Sequence, residues 1–183
     1  MLSKPPAQAL IKLVDPYAYR SQLTMPKLIL IGTNDPYWPV DAVNNYFADL
    51  KGKNYIHYVP NAGHGLGASA ITAISGFYQQ TVLEKKHPDF TWKFTNSTSE
   101  VTLSISAADP PQEVRLWSAQ SPDRDFRDAK WTKQTVPGNG KTFQISLSLP
   151  ADEHLALYGE LMFESVNGPQ YGLCTNIRVF KNK

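Results

Sequence analysis

Two side chains in this sequence have the chemistry to move a proton: Asp35, in "GTNDPYWPV", and His64, in "PNAGHGLG". Imidazole is the side chain suited to take and return a proton near neutral pH. A carboxylate bonded to one ring nitrogen fixes the tautomer, stabilises the imidazolium and leaves the other nitrogen to accept a hydroxyl proton. Asp35 and His64 therefore read as an orienter and a base, provided that the fold brings them together. Each alone has a plainer reading, because "NDP" is a good turn signal and "AGHG" a flexible loop. The pair is more specific than its parts, since each residue follows directly on a strand-like run.

The elements that would position them are legible as periodicity. "KLILIG" (27–32) is a continuous apolar run bounded by Pro26 and Gly32, the pattern of a strand covered on both faces, as in a parallel sheet. "VDAVNNYFADLKG" places Val40, Val43, Tyr46, Phe47 and Leu50 at helical spacing, with Asp41 as N-cap and Gly52 as the stop. "NYIHYVP" (54–60) predicts a second strand, and residues 67–86 predict a helix with Ile71, Ile74, Phe77, Tyr78 and Val82 available for one face, ended before Pro88. In open α/β sheets, functional groups sit on loops leaving the carboxyl ends of strands. Asp35 lies past the first strand and His64 past the second, between Gly63, Gly65 and Gly67. Tyr37 and Trp38 either line a substrate pocket above the pair or pack the acid loop against the body.

Near residue 88 the period changes to two. "EVTLSIS" alternates Val101, Leu103 and Ile105 with hydroxyl residues, and "KTFQISLSLP" does the same with Phe143, Ile145, Leu147 and Leu149. About seven such runs, near 90–95, 100–107, 112–119, 130–136, 141–149, 154–165 and 171–180, predict a β-sandwich of immunoglobulin or fibronectin-III type. The expected fold class is thus α/β plus all-β, with domains at 1–88 and 89–183. Two parallel strands and two helices cannot cover both faces of a sheet, so residues 1–88 are expected to be the C-terminal part of a larger α/β domain. The expected partner is then the missing N-terminal part of that domain, or a self-association partner.

Composition narrows the partners. The 18 basic and 16 acidic residues among 183 are scattered and leave a formal charge of +2, so no nucleic-acid stripe is expected. No apolar run reaches membrane length, and "MLSKPPAQAL" has no signal-peptide core. The single cysteine, Cys174, reads as a strand residue and permits no intrachain disulfide. His57, His87 and His154 share no metal-ligand spacing, so no metal and no cofactor is expected. Trp92, Trp117 and Trp131 read as core packing, ahead of a sugar- or peptide-binding face.

"DPYAYRSQLTMPKL", "NDPYWPVDA" and "YVPNAGHGL" together resemble the C-terminal part of the catalytic domain of the PhoPQ-activated pathogenicity-related proteins, a branch of the α/β-hydrolase superfamily. The resemblance covers residues 14–66 closely and extends loosely through the sandwich. It implies that Asp35 is a triad acid and His64 a triad histidine, in the order Ser, Asp, His typical of such hydrolases. It also implies an exported bacterial protein, periplasmic or secreted; the substrate expected of the complete parent, from the acid and histidine, is a small-molecule ester or peptide.

The nucleophile is the departure from that pattern. No G-x-S-x-G elbow occurs; Ser21 has no flanking glycines, and Ser69 and Ser75 follow His64 on the predicted helix. The sequence therefore predicts the acid and base of a serine hydrolase without its nucleophile or oxyanion hole, and negligible hydrolysis by these residues alone. The rival expectation is a non-catalytic secreted or envelope protein that binds or regulates through its sandwich.

Overall fold

The computed structural model describes residues 4–182. The chain opens with helix α1 (Pro5–Val14), which the sequence reading did not anticipate and which buries no residue. Strands β1 (Lys27–Gly32) and β2 (Asn54–Val59) follow, then helix α2 (Ala68–Val82). Eight more strands complete it: β3 (Phe90–Asn96), β4 (Glu100–Ala107), β5 (Glu113–Ser121), β6 (Thr132–Thr135), β7 (Thr142–Ser148), β8 (His154–Phe163), β9 (Tyr171–Cys174) and β10 (Arg178–Lys181).

β1 and β2 pair in parallel, from Lys27 opposite Asn54 to Gly32 opposite Val59. They do not form a sheet of their own. β2 pairs antiparallel with β9, Ile56 opposite Cys174, so the order runs β1-β2-β9-β8-β5-β6 within a seven-stranded sheet that also holds β10. A second sheet of order β3-β4-β7 lies against it. The expected fold class, an α/β-hydrolase fragment followed by a separate immunoglobulin or fibronectin-III-like sandwich, is therefore corrected. The described residues form a mostly β, two-layer structure with two α-helices, and no sheet flanked by helices on both faces. The physical reason lies at the edge of β2: its unpaired N–H and C=O groups need partners, and β9 pairs with that edge at Ile56.

Both faces of the large sheet are buried along its central strands β2, β9 and β8. One meets Leu103 of the small sheet through Leu116, Leu157, Leu161 and Leu173, with α2 packed against β9 and β2. The other is covered by the loop after β1 and by residues 122–131, which bring Val40, Val43, Phe126 and Trp131 onto Ile56, Tyr58 and Tyr158. Double coverage explains why β8 is buried at nearly every position, with Leu155 through Leu161 all inaccessible.

Three local expectations are revised. The helix expected after Val40 is two short 3₁₀ turns, Ala42–Asn45 and Phe47–Asp49. Asp41 forms no cap; its carboxylate pairs with Arg124 at 2.5 Å, while Asn44 donates to the Ile177 carbonyl at 2.8 Å. Helix α2 turns its small residues inward, Ala70, Ala73 and Gly76, and leaves Ile71, Ile74, Tyr78 and Val82 exposed. A side chain at Gly76 would meet the Tyr171 ring at 2.5 Å, so the close approach to β9 selects glycine there. The last run of alternation splits into β9 and β10 around buried Thr175 and Ile177.

Candidate functional site

β1 and β2 end side by side, and their loops diverge over the same edge of the sheet. Gly32 closes β1 where the histidine loop presses on it: a Cβ there would lie 2.4 Å from the carbonyl oxygens of both Ala62 and Gly63. The parallel ladder continues one step, Thr33 N–H donating to the Val59 carbonyl at 3.0 Å, and Asn34 N–H then donates to Ala62 at 3.0 Å.

These contacts deliver Asp35 to His64. His64 Nδ1 lies 2.8 Å from Asp35 Oδ2. Asp35 Oδ1 accepts the Tyr37 N–H at 2.8 Å, a turn in which the aspartate orders its own loop. Burial alone would raise the Asp35 carboxyl, but the Tyr37 N–H, the hydrogen bond and charge of His64, and the Trp38 N–H outweigh it and hold it below the ordinary carboxylate range. The carboxylate is ionised and can only accept, so Nδ1 carries a proton, and in the neutral imidazole the lone pair is then on Nε2. The Asp35 side chain is 6% exposed and that of His64 62%; Nε2 has no hydrogen-bond partner among the described residues.

Tyr37 meets the imidazole edge to face, ring centroids 5.0 Å apart, and it and Trp38 are among the most exposed aromatics of the chain, at 69% and 62%. They rim a cleft of about 320 Å³ beside Asp35, whose opposite wall is Phe126 with Arg124 and Arg127. That wall comes from the segment "SPDRDFRDAKW". The arginines there are held by aspartates, Arg124 by Asp41 and Arg127 by Asp125.

The remaining candidates lie elsewhere. Ser21, Ser69 and Ser75 make no hydrogen bond to His64, and Ser75 accepts from Gln79 on α2. His57 is buried in β2 with Nδ1 at 3.0 Å from the Gly172 carbonyl, and His87 is buried against Thr81. Burial pushes the Cys174 thiol well above its ordinary range. Trp131 is 2% exposed, Trp117 donates its indole N–H to Glu160 at 2.8 Å, and Trp92 packs against the inter-sheet core. Among the described residues no three His, Cys, Asp or Glu side chains are grouped to hold a metal, and no helix is long and apolar enough to cross a membrane. Sequence reasoning missed Asn34 and Asn61, whose amides look like turn formers and bridge instead to residues 126–131.

Fold and site together define a two-layer β protein that presents a carboxylate-oriented histidine at the exit of a parallel strand pair. Residues 1–127 match the description PhoPQ-activated pathogenicity-related protein, and the chain belongs to that family. It is also 28% identical over 139 residues to autocrine proliferation repressor protein A of Dictyostelium discoideum, a match covering 69% of this chain and 28% of that protein. The chain thus spans under a third of the length of that relative. Among solved structures, a family 56 carbohydrate-binding module described as a β-1,3-glucan binding domain aligns at 17% identity over 51% of this chain and 99% of its own, with a TM-score of 0.34. A protein of Agrobacterium tumefaciens aligns at 9% identity over 86% of this chain and 94% of its own, also at 0.34.

Proposed function

We propose that Asp35 and His64 are the acid and general base of a serine-type hydrolytic site that cleaves an ester or amide. The supporting observation is the 2.8 Å bond from His64 Nδ1 to a buried carboxylate, with Nε2 left open to solvent. Nε2 would take the proton of a serine hydroxyl as its oxygen attacks a carbonyl carbon, and return that proton to the leaving group. Asp35 would hold the tautomer and stabilise the imidazolium without itself being protonated. Among the described residues no serine bonds to His64, so this reading takes the nucleophile from a segment or chain outside them, and these residues alone are expected to show negligible turnover.

The test is to express the open reading frame containing these residues with its in-frame upstream sequence, and to assay activated esters and peptide amides. Asp35→Asn and His64→Ala are each expected to lower kcat by about 10³- to 10⁴-fold with the fold intact. Undiminished turnover in either would remove the pair from the mechanism.

A second reading, a non-catalytic binding or regulatory protein, is favoured by the outer face of the small sheet. There Thr91, Ser104, Ser106, Thr142 and Gln144 surround Lys93 in a groove of about 710 Å³, larger than the cleft beside Asp35. The relative's name, an autocrine proliferation repressor, is of the same kind. Full biological activity of a His64→Ala variant would decide for this reading.

A further inference from the structure

We propose that Asn34 and Asn61 are positioning residues, which clasp the acid and histidine loops to residues 126–131 and thereby set the Asp35–His64 geometry. The inference rests on the reading of that pair as a proton-transfer unit. Asn34 adjoins Asp35, and Asn61 lies on the short approach to His64; no hydrogen bond joins either side chain to the pair.

The amide of Asn34 reaches the loop at 126–129. Its Nδ2 lies 3.2 Å from the Phe126 carbonyl, 2.9 Å from Arg127 and 2.8 Å from Ala129, so two hydrogens are shared among three acceptors. Its Oδ1 accepts from the Thr33 hydroxyl at 2.8 Å, and that hydroxyl oxygen accepts the Asn61 backbone N–H at 2.8 Å. The Asn61 side chain then pairs with the backbone of Trp131 twice, donating to its carbonyl at 3.0 Å and accepting its N–H at 2.8 Å. To do so Asn61 takes a left-handed backbone, φ 58°, which asparagine tolerates better than most residues. With the Asn34 N–H on the Ala62 carbonyl, the circuit closes: acid loop to histidine loop, and both to 126–131.

The anchor is firm. Trp131 is almost fully buried, its ring 6.2 Å from Phe126 and 5.6 Å from Tyr158 in the doubly covered sheet. His64, by contrast, is mostly exposed, and the ring against it, Tyr37, is itself exposed. Its distance to Asp35 is therefore set by where the two loops stand, and the clasp sets that. Amides in ordinary turns bond within two or three residues, whereas these reach 70 and 95 positions along the chain. The segment that walls the cleft with Phe126 and Arg127 is thus also the frame on which the pair is aligned.

The test reads the His64 tautomer in substrate-free protein, by two-bond proton–nitrogen correlation spectra of ¹⁵N-histidine-labelled chain at alkaline pH, with His64→Gln for assignment. The unsubstituted chain is expected to show the Nδ1–H form as the majority. Asn61→Gly permits the left-handed backbone and deletes both bonds to Trp131; Asn34→Ala deletes the bonds to 126–129. Each is expected to drop the Nδ1–H form below half. Gly76→Ala, which disturbs the distant contact between α2 and Tyr171, is expected to leave it a majority. The proposal is overturned if a folded clasp variant keeps the Nδ1–H majority, if Gly76→Ala shifts it equally, or if both clasp variants fail to fold. Because no turnover is read, absence of hydrolysis would sink the catalytic reading and leave this result standing.

Discussion

Gly32→Ala should damage the site and the fold together, by an amount that follows from the geometry. A Cβ on residue 32 would sit 2.4 Å from two backbone oxygens, those of Ala62 and Gly63. An unstrained carbon–oxygen contact is about 3.3 Å or more, so the histidine loop must retreat by about 1 Å. Backbone cannot rotate aside as a flexible side chain would. The Ala62 oxygen is also the acceptor of the Asn34 N–H, so the same movement strains the link between the two loops. If the retreat lies along the His64–Asp35 vector, the 2.8 Å bond opens to a distance at which it no longer counts as a hydrogen bond. Overpacking of this kind costs about 1–3 kcal/mol. For a chain of this size that lowers Tm by roughly 2–4 °C per kcal/mol, or about 2–12 °C in all. Calorimetry and the His64 tautomer spectrum read the two consequences separately. A variant that melts within about 1 °C of the parent and keeps the Nδ1–H form would refute the close-approach reasoning.

Three further outcomes are expected. Burial lowers the proton affinity of His57, against Glu160 and the Gly172 carbonyl, and burial with the Lys53 charge lowers that of His87. In the unfolded chain both titrate near about pH 6.5, so their contribution to stability is present above that pH and is lost as the pH falls below it. The slope of Tm from about pH 7.5 to 5 should flatten in the His57→Gln, His87→Gln variant, and an unchanged slope would assign it to other groups. Gly76→Ala should cost about 1–3 kcal/mol by driving α2 off the Tyr171 ring, read by chemical denaturation; parental stability would mean that the helix is loosely seated. Arg124→Ala should cost under about 1 kcal/mol, because its guanidinium is 60% exposed beside Asp41. A coupling well above that in a double-mutant cycle with Asp41→Asn would show that the bridge braces the 3₁₀ turns.

Local structure was legible wherever the period was clean. Alternation in "EVTLSIS" predicts the run 100–107, and β4 spans Glu100–Ala107. The placement of Asp35 and His64 at neighbouring strand exits was legible too, because parallel strands deliver their loops to one edge. The segment after Val40 misled because helical spacing of apolar residues is satisfied equally by folding back on the sheet, and Arg124 and Asn176 compete for Asp41 and Asn44. The sheet's membership was not legible, since nothing local in "NYIHYV" names β9 as its neighbour. Nor was the clasp: asparagine beside proline or glycine reads as a turn former, and only the arrival of 126–131 reveals what its amide reaches.

The pairing of β2 with β9 also sets a timetable. His57 and the Gly172 carbonyl that it meets are 115 positions apart. At a synthesis rate of about 5–20 residues per second, roughly 6–23 s pass between them on the ribosome. During that interval β2 has its parallel neighbour on one side and an open edge on the other, held by long-range contacts that form slowly. The strand that carries the histidine loop is therefore completed among the last, and a nascent chain halted before residue 171 would display the loop without its finished support.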